Sequence, residues 1–211
     1  MYPVMLSFEE HPCLVVGGGK VALRKVKGLL SEGAMVTVVA PDVEEELEAM
    51  AEMEAIRLER RPYRPGETAG YFLIMAATSD NRVNRQVYQD AKECGIWVNV
   101  ADDPELCTFY LPARLKRGPM QLVIASTGLA PFAMRRLRKL FETRFGPEWA
   151  EWIRAAARFR KTVYSTCSDK AKQAELFDAF FNASVDGEEL TSRVPTEEEI
   201  ETWLQQLGAS E

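Results

Sequence analysis

The chain has 211 residues, enough for one or two domains, and its 46% hydrophobic content can fill a real core. No apolar run is long enough to cross a bilayer, and the N-terminus lacks a signal peptide's charged and apolar regions, which predicts a cytoplasmic protein without a membrane partner. The net charge of −6 argues against nucleic acid, and the single histidine, His11, excludes a multi-histidine metal site. The four cysteines, Cys13, Cys94, Cys107 and Cys167, are scattered with no C-x-x-C pair, which predicts free thiols in a reduced compartment.

Tyr2-Pro3-Val4-Met5-Leu6 reads as a short edge strand, a place where Pro3 is tolerated. The run Cys13-Leu14-Val15-Val16 then stops at Gly17-Gly18-Gly19, and Val21, Ala22, Val26, Leu29 and Leu30 continue at helical spacing. This is a strand, a tight turn and a helix start. Gly17, Gly19 and Ala22 fit the G-x-G-x-x-G/A dinucleotide fingerprint. The first glycine permits the turn, the second leaves room for a pyrophosphate, and the small third residue lets helix and strand pack closely. The N–H groups and dipole of the helix start favour the phosphates. Gly33 is the expected end of a helix over 19–32.

Met35-Val36-Thr37-Val38-Val39 is a continuous apolar strand, as a sheet covered on both faces requires. It ends at Ala40-Pro41-Asp42, with Asp42 a candidate cap for a helix over 43–53. Residues 56–58 form a weak strand and 61–70 a loop. Tyr71–Ala77 is the strongest buried strand. Thr78-Ser79-Asp80 closes it and starts a helix over 80–94, which Gly95 ends before a strand at 96–100. Alternating strands and helices with short links predict right-handed βαβ units and an open parallel sheet. Ligands bind beyond the carboxyl ends of such strands, here Gly17–Lys20, Ala40–Asp42, Ala77–Asp80 and Asn99–Asp103.

After Pro104 the pattern changes. Residues 108–111 and 120–125 read as strands joined by a basic turn, Lys116-Arg117-Gly118-Pro119. Ser126-Thr127-Gly128-Leu129-Ala130-Pro131 is a loop, with Pro131 placed to start a basic helix over 131–144 that Gly146-Pro147 ends. Helices follow at 148–165, 169–183 and 196–207, the last opened by a Thr196–Glu199 capping box. Charge is uneven. Residues 111–140 carry Arg114, Lys116, Arg117, Arg135, Arg136, Arg138 and Lys139 and no acid, whereas 186–211 hold eight acidic residues against Arg193 alone. A basic segment in an acidic protein can receive an anion, although such runs are commonly solvated faces. Asp42 follows the second strand without a nearby Arg or Lys for a 2′-phosphate, which favours NAD over NADP.

Three segments stand together near the N-terminus: Tyr2-Pro3-Val4, Val15-Val16-Gly17-Gly18-Gly19-x-Val21-Ala22-x-Arg24-Lys25 and Val36-Thr37-Val38-Val39-Ala40-Pro41. Ala76-Ala77-Thr78-x-Asp80-x-x-Val83-Asn84, Val98-Asn99-Val100-Ala101-Asp102-Asp103-Pro104, and Phe109 with Pro112-Ala113 continue the series in order. Together they resemble precorrin-2 dehydrogenase, a family that includes stand-alone enzymes and the N-terminal part of siroheme synthase. The resemblance covers residues 1 to 145 and leaves only a helical tail beyond.

The resemblance implies an α/β fold with a Rossmann-type parallel sheet, a small α+β dimerisation region and a C-terminal helical domain, with boundaries at 1–112, 113–147 and 148–211. It implies loss of two hydrogens from precorrin-2, hydride to NAD⁺ and proton to a base, giving sirohydrochlorin. Some relatives also insert Fe²⁺. It further implies an intertwined homodimer with its active site between the nucleotide domain and the dimerisation region.

The family's aspartate falls on Asp102, which also suits a general base by its place after a parallel strand. Asp103, before Pro104, reads more simply as a turn residue. The expected cofactor contacts are Gly17, Gly18, Gly19, Lys20 and Val21, with Pro41, Asp42 and Thr78. The expected substrate contacts are Asn99, Ser126, Arg114 and Arg135, with a tetrapyrrole polycarboxylate drawing on the basic segment. The alternative is an NAD(H)-sensing Rossmann domain without catalysis, which would leave Asn99–Pro104 and the basic segment without a purpose. A third reading, an unrelated dehydrogenase built on Tyr88 and Lys92, would place its pair on a helix packed against the sheet.

Overall fold

The computed structural model describes residues 2–126 and 128–208 and divides into two compact units, one ending at Leu111 and the other starting at Pro112. The first is built on a parallel sheet of β1 (Pro12–Val16), β2 (Met35–Val39), β3 (Arg57–Glu59), β4 (Leu73–Ala76) and β5 (Trp97–Val100), in the order β3-β2-β1-β4-β5. Because β1 and β4 lie at the centre, their apolar runs are covered on both faces. Cys13, Val15 and Met75 pack with Ala22, Val26 and Leu29 of α1 (Lys20–Leu30) and Leu47 of α2 (Glu45–Glu52). Leu14, Val16, Ile74 and Val98 pack with Val87 and Ala91 of α3 (Asn81–Glu93) on the other face. Each fully buried aliphatic side chain contributes about 1.5–3 kcal/mol. This is the expected Rossmann-type sheet. Its strand order reverses between β1 and β4, which opens a crevice at the carboxyl ends of those two strands.

The second unit begins with an antiparallel hairpin, β6 (Ala113–Arg117) and β7 (Met120–Ile124), closed by Gly118-Pro119. Gly118 has φ 54, the backbone a two-residue hairpin turn needs at its first position. The helices α4 (Pro131–Arg144), α5 (Trp149–Thr166), α6 (Lys170–Ser184) and α7 (Glu197–Gly208) follow, with a two-residue hairpin of β8 (Val185–Asp186) and β9 (Thr191–Ser192) between the last two. Their core is aromatic. Phe145, Trp149, Trp152, Phe180 and Phe159 follow one another with ring centroids 5.2, 5.3, 5.8 and 4.8 Å apart. Such pairs add about 0.5–1.5 kcal/mol each beyond their area. The expected capping box forms, with Thr196 N–H donating to Glu199 Oε2 at 2.8 Å and Glu199 N–H to Thr196 Oγ1 at 3.2 Å.

Four local expectations need correction. Residues 2–6 are not a strand: Tyr2, Val4 and Met5 are exposed, and the sheet's edges are β3 and β5. Residues 108–111 are not a strand either. Thr108 N–H donates to Val98 O at 2.8 Å, but its hydroxyl, not a carbonyl, accepts from Val98 N–H at 2.8 Å, so a side chain replaces the ladder. Lys116 and Arg117 lie in β6 and not in the turn, because pairing continues to Arg117 and Met120. Glu44, not Asp42, occupies the cap position of α2, and Glu44 N–H donates to Gly18 O at 2.8 Å. The short β8–β9 hairpin has no counterpart in the sequence pattern. Thr127, within the expected loop before α4, lies outside the described residues.

Candidate nucleotide and catalytic site

The turn from β1 into α1 is fitted closely on one side and open on the other. Gly17 has φ 122, and a Cβ there would stand 2.4 Å from the Ala77 carbonyl oxygen beyond β4. A Cβ on Gly18 would stand 2.0 Å from the Asp42 carbonyl oxygen beyond β2. Both glycines are therefore required by the protein's own packing. Gly19 differs: nothing lies within 4 Å of the position its Cβ would take. It is the N-cap of α1 and no side chain caps it. The first turn also holds no acidic residue. The helix therefore presents its N-terminal N–H groups and positive dipole end to open space, an arrangement that fits a pyrophosphate.

Lys20 is exposed at the start of α1 and Val21 is half-buried beside it. Pro41 and Asp42 are exposed after β2. Tertiary structure brings two arginines to that end, since Ala40 N–H donates to Glu59 O at 3.2 Å. Both are engaged, Arg60 by Glu48 and Arg61 by Glu59 and Glu67. Thr78 follows β4, its backbone close against Gly17, and is locked by Asn84, a buried residue of α3. Asn84 Oδ1 accepts from Thr78 N–H at 3.2 Å and from its hydroxyl at 2.9 Å, and Asn84 Nδ2 donates to Thr78 O at 3.0 Å. Asp80 caps α3 as expected, accepting from Arg82 N–H at 2.8 Å.

At the end of β5, Asp102 is exposed and has φ 59, an uncommon backbone conformation for a residue other than glycine. Asn99, also on β5, is buried. Its Oδ1 accepts from Lys25 Nζ at 2.6 Å and its Nδ2 donates to Phe109 O at 3.0 Å. The amide expected to touch substrate is thus committed within the unit. Lys25, buried on α1, joins Asn99 in this cluster, and the sequence marks it only as a lysine on the helix face that Ala22, Val26 and Leu29 otherwise fill. Burial pushes its ammonium below the usual lysine range, with Cys107 and Asp102 acting in the opposite sense and Arg24 in the same one. On α3, Lys92 lies over the Tyr88 ring, 5.9 Å from its centroid.

In the second unit Arg114 is exposed on β6 and Arg135 on α4. Ser126 Oγ accepts from Ala130 N–H at 3.1 Å and so helps start α4. Other basic residues of the segment close contacts within the unit. Arg117 donates to the carbonyls of Phe145 at 2.7 Å and Glu142 at 3.2 Å, closing the end of α4, and Arg138 pairs with Glu142. The described cysteines are all free, and burial pushes the Cys13 thiol up to about 11. Among the described residues, no group of three or more His, Cys, Asp or Glu gathers as a metal cage, and no helix is long and apolar enough to cross a membrane.

Comparison with known proteins agrees with this geometry. Residues 4–113 match the family model described as "Putative NAD(P)-binding". The chain is 36% identical over 190 residues to a siroheme synthase of Methylobacillus flagellatus, covering 90% of this chain and 40% of that protein. It is 39% identical over 161 residues to a siroheme synthase of Methylococcus capsulatus, covering 76% of this chain and 34% of that protein. The chain thus spans well under half the length of these relatives. Among solved structures, SirC, a precorrin-2 dehydrogenase, superposes with a TM-score of 0.75 and 27% identity over 98% of both chains. The chain therefore belongs to this NAD(P)-binding family, in the group of precorrin-2 dehydrogenase and siroheme synthase that its motifs resemble.

Proposed function

We propose that this chain dehydrogenates precorrin-2 to sirohydrochlorin with NAD⁺, a step of siroheme biosynthesis. The observation that carries the reading is the likeness to SirC, which runs through 98% of both chains and includes the helical second unit. A shared nucleotide fold alone would have stopped near residue 113. NAD⁺, when bound, supplies the acceptor for the hydride. Gly19 and the start of α1 hold its pyrophosphate, with Gly17, Gly18, Lys20 and Val21 shaping that turn. Asp42 with Pro41 faces its ribose, and Thr78 forms the opposite wall. NAD is preferred to NADP because Asp42 follows β2 and the neighbouring arginines are already paired.

Asp102 is the general base. Its exposed carboxylate takes the proton as the substrate's C–H bond gives up its hydride. Arg114, Arg135 and Ser126 are the substrate contacts, because exposed guanidinium groups suit a polycarboxylate. Asn99 is reassigned from substrate contact to positioning, since its amide already has internal partners. Residues 113–147 form the dimerisation element of a homodimer, and 148–211 the helical domain. In support, α4 has no buried residue and exposes Phe132, Leu137 and Leu140, while β7 exposes Val123.

The test is to supply precorrin-2 and NAD⁺ anaerobically and follow NADH and sirohydrochlorin. The two should form in equal amounts, and absence of NADH would sink the reading. Asp102→Asn should lower kcat by about a hundredfold or more while keeping NAD⁺ affinity. For the dimer, Leu140→Glu should halve the mass measured by light scattering, and an unchanged monomeric mass for the wild type would end that part.

A further inference from the structure

Asp102 sits in a turn whose shape is set from below. The ends of that turn, Val100 and Asp103, converge on one thiol. Val100 N–H donates to Cys107 Sγ at 3.3 Å, and the thiol lies 3.3 Å from the carbonyl oxygens of both Val100 and Asp103, either of which its S–H reaches. Cys107 is itself held by Asn99, whose Nδ2 donates to the sulfur at 3.4 Å. Asn99 is oriented by Lys25, whose Nζ reaches its Oδ1 at 2.6 Å from another element, 74 residues away in sequence. The amide can then point its Nδ2 only toward Phe109 O and Cys107.

Folding alone does not call for a lysine here. Lys25 is 8% exposed, and the rest of its helix face is Ala22, Val26 and Leu29. Burying an ammonium is costly, and an apolar side chain of similar volume packs such a place as well or better. Among the described residues, no carboxylate oxygen is hydrogen-bonded to it; its acceptor is a neutral amide. What the lysine supplies is direction, fixing which way Asn99 points. A left-handed backbone at Asp102 persists only where the surroundings over-determine it.

We propose that Lys25, acting through Asn99 and Cys107, is a positioning residue that holds the 101–103 turn in the conformation presenting Asp102. The proposal rests on the reading of Asp102 as the base. Lys25 touches no reacting atom in it. Its removal should misplace a carboxylate without disturbing the glycine turn that carries the nucleotide.

The experiment compares wild type with Lys25→Met, Cys107→Ala and Cys107→Ser by steady-state kinetics, NAD⁺ titration and amide hydrogen exchange. Lys25→Met and Cys107→Ala should lower kcat about tenfold to a hundredfold, the scale of an ångström-level misplacement. NAD⁺ affinity should stay within about twofold, because the pyrophosphate contacts are untouched. Exchange should accelerate at residues 100–103 and not in β1 or β2. Cys107→Ser, which keeps a donor and an acceptor, should restore most of the lost rate.

Wild-type kcat in Lys25→Met overturns the inference. So does a loss shared equally with NAD⁺ affinity, or a Cys107→Ser variant as slow as Cys107→Ala. If Lys25→Met does not fold, the two Cys107 variants carry the comparison. If the wild type forms no NADH, the proposed reaction falls, and exchange decides the positioning claim by itself: unchanged rates at 100–103 in both variants refute it.

Discussion

Replacing Gly19 by valine should separate ligand recognition from folding, with Gly17→Ala as the opposite control. Gly19 has φ −83 and ψ −175, extended backbone that valine adopts readily, and its Cβ would meet nothing within 4 Å. The fold should therefore lose only about 1 kcal/mol, the difference between a good and a poor N-cap residue. The same Cβ and its methyl groups would fill the space in front of the α1 N–H groups. Losing one hydrogen bond to a charged phosphate costs about 1.5–3 kcal/mol, which weakens NAD⁺ binding about tenfold to a hundredfold. Gly17→Ala meets the reverse situation. Its Cβ would stand 2.4 Å from the Ala77 carbonyl at φ 122, so clash and strain together cost about 3 kcal/mol. The melting temperature should fall by about 10 °C for a unit of this size. Scanning calorimetry and NAD⁺ titration read the two quantities separately. Wild-type NAD⁺ affinity in Gly19→Val would refute the phosphate cradle, and wild-type stability in Gly17→Ala would refute the packing argument.

Three further outcomes are expected. Asn84→Ala should free the Thr78 turn and cost about 1–3 kcal/mol of stability in chemical denaturation, since Thr78 N–H and O would lose their partner. Ser184→Ala should cost a similar amount, because Trp152 Nε1 donates to Ser184 Oγ at 2.8 Å inside the aromatic core and would be left buried without an acceptor; an unchanged denaturation midpoint would argue that water replaces the hydroxyl. The third concerns pH. The Arg193 guanidinium, with the Thr196 N–H, holds the Glu199 carboxyl down at about 2, against an ordinary 4.5. A depressed carboxyl contributes stability above its unfolded value and loses it as pH falls. The start of α7 should therefore loosen between pH 4.5 and about 2, visible in the amide resonances of 197–200, and Glu199→Gln should remove that pH dependence.

The sequence by itself determined the elements whose signals are local. Apolar runs that stop at Gly17, at Pro41 and at Thr78 mark β1, β2 and β4, and the Gly17–Gly19 turn announces a nucleotide before any contact is known. Pro131 and the Thr196–Glu199 pair placed two helix starts closely. Periodicity and capping act over a few residues, so they survive without tertiary context. The misses share one cause. Residues 2–6 have strand composition but no strand to pair with, and Thr108 replaces a ladder bond with its hydroxyl, so neither outcome is written in local pattern.

Tertiary structure alone decided what each glycine is for. Ala77 and Asp42 are distant in sequence, yet their carbonyls are what make Gly17 and Gly18 obligatory, leaving only Gly19 open to a ligand. It also decided what lies beneath the Asp102 turn. Lys25 and Asn99 meet because α1 packs across a sheet that places β5 two strands from β1, bringing residues 74 apart within 2.6 Å. A lysine on an apolar helix face is visible in sequence, but its partner is chosen by strand order. Strand order follows from burying both faces of the whole sheet at once, a condition that no local stretch of sequence expresses.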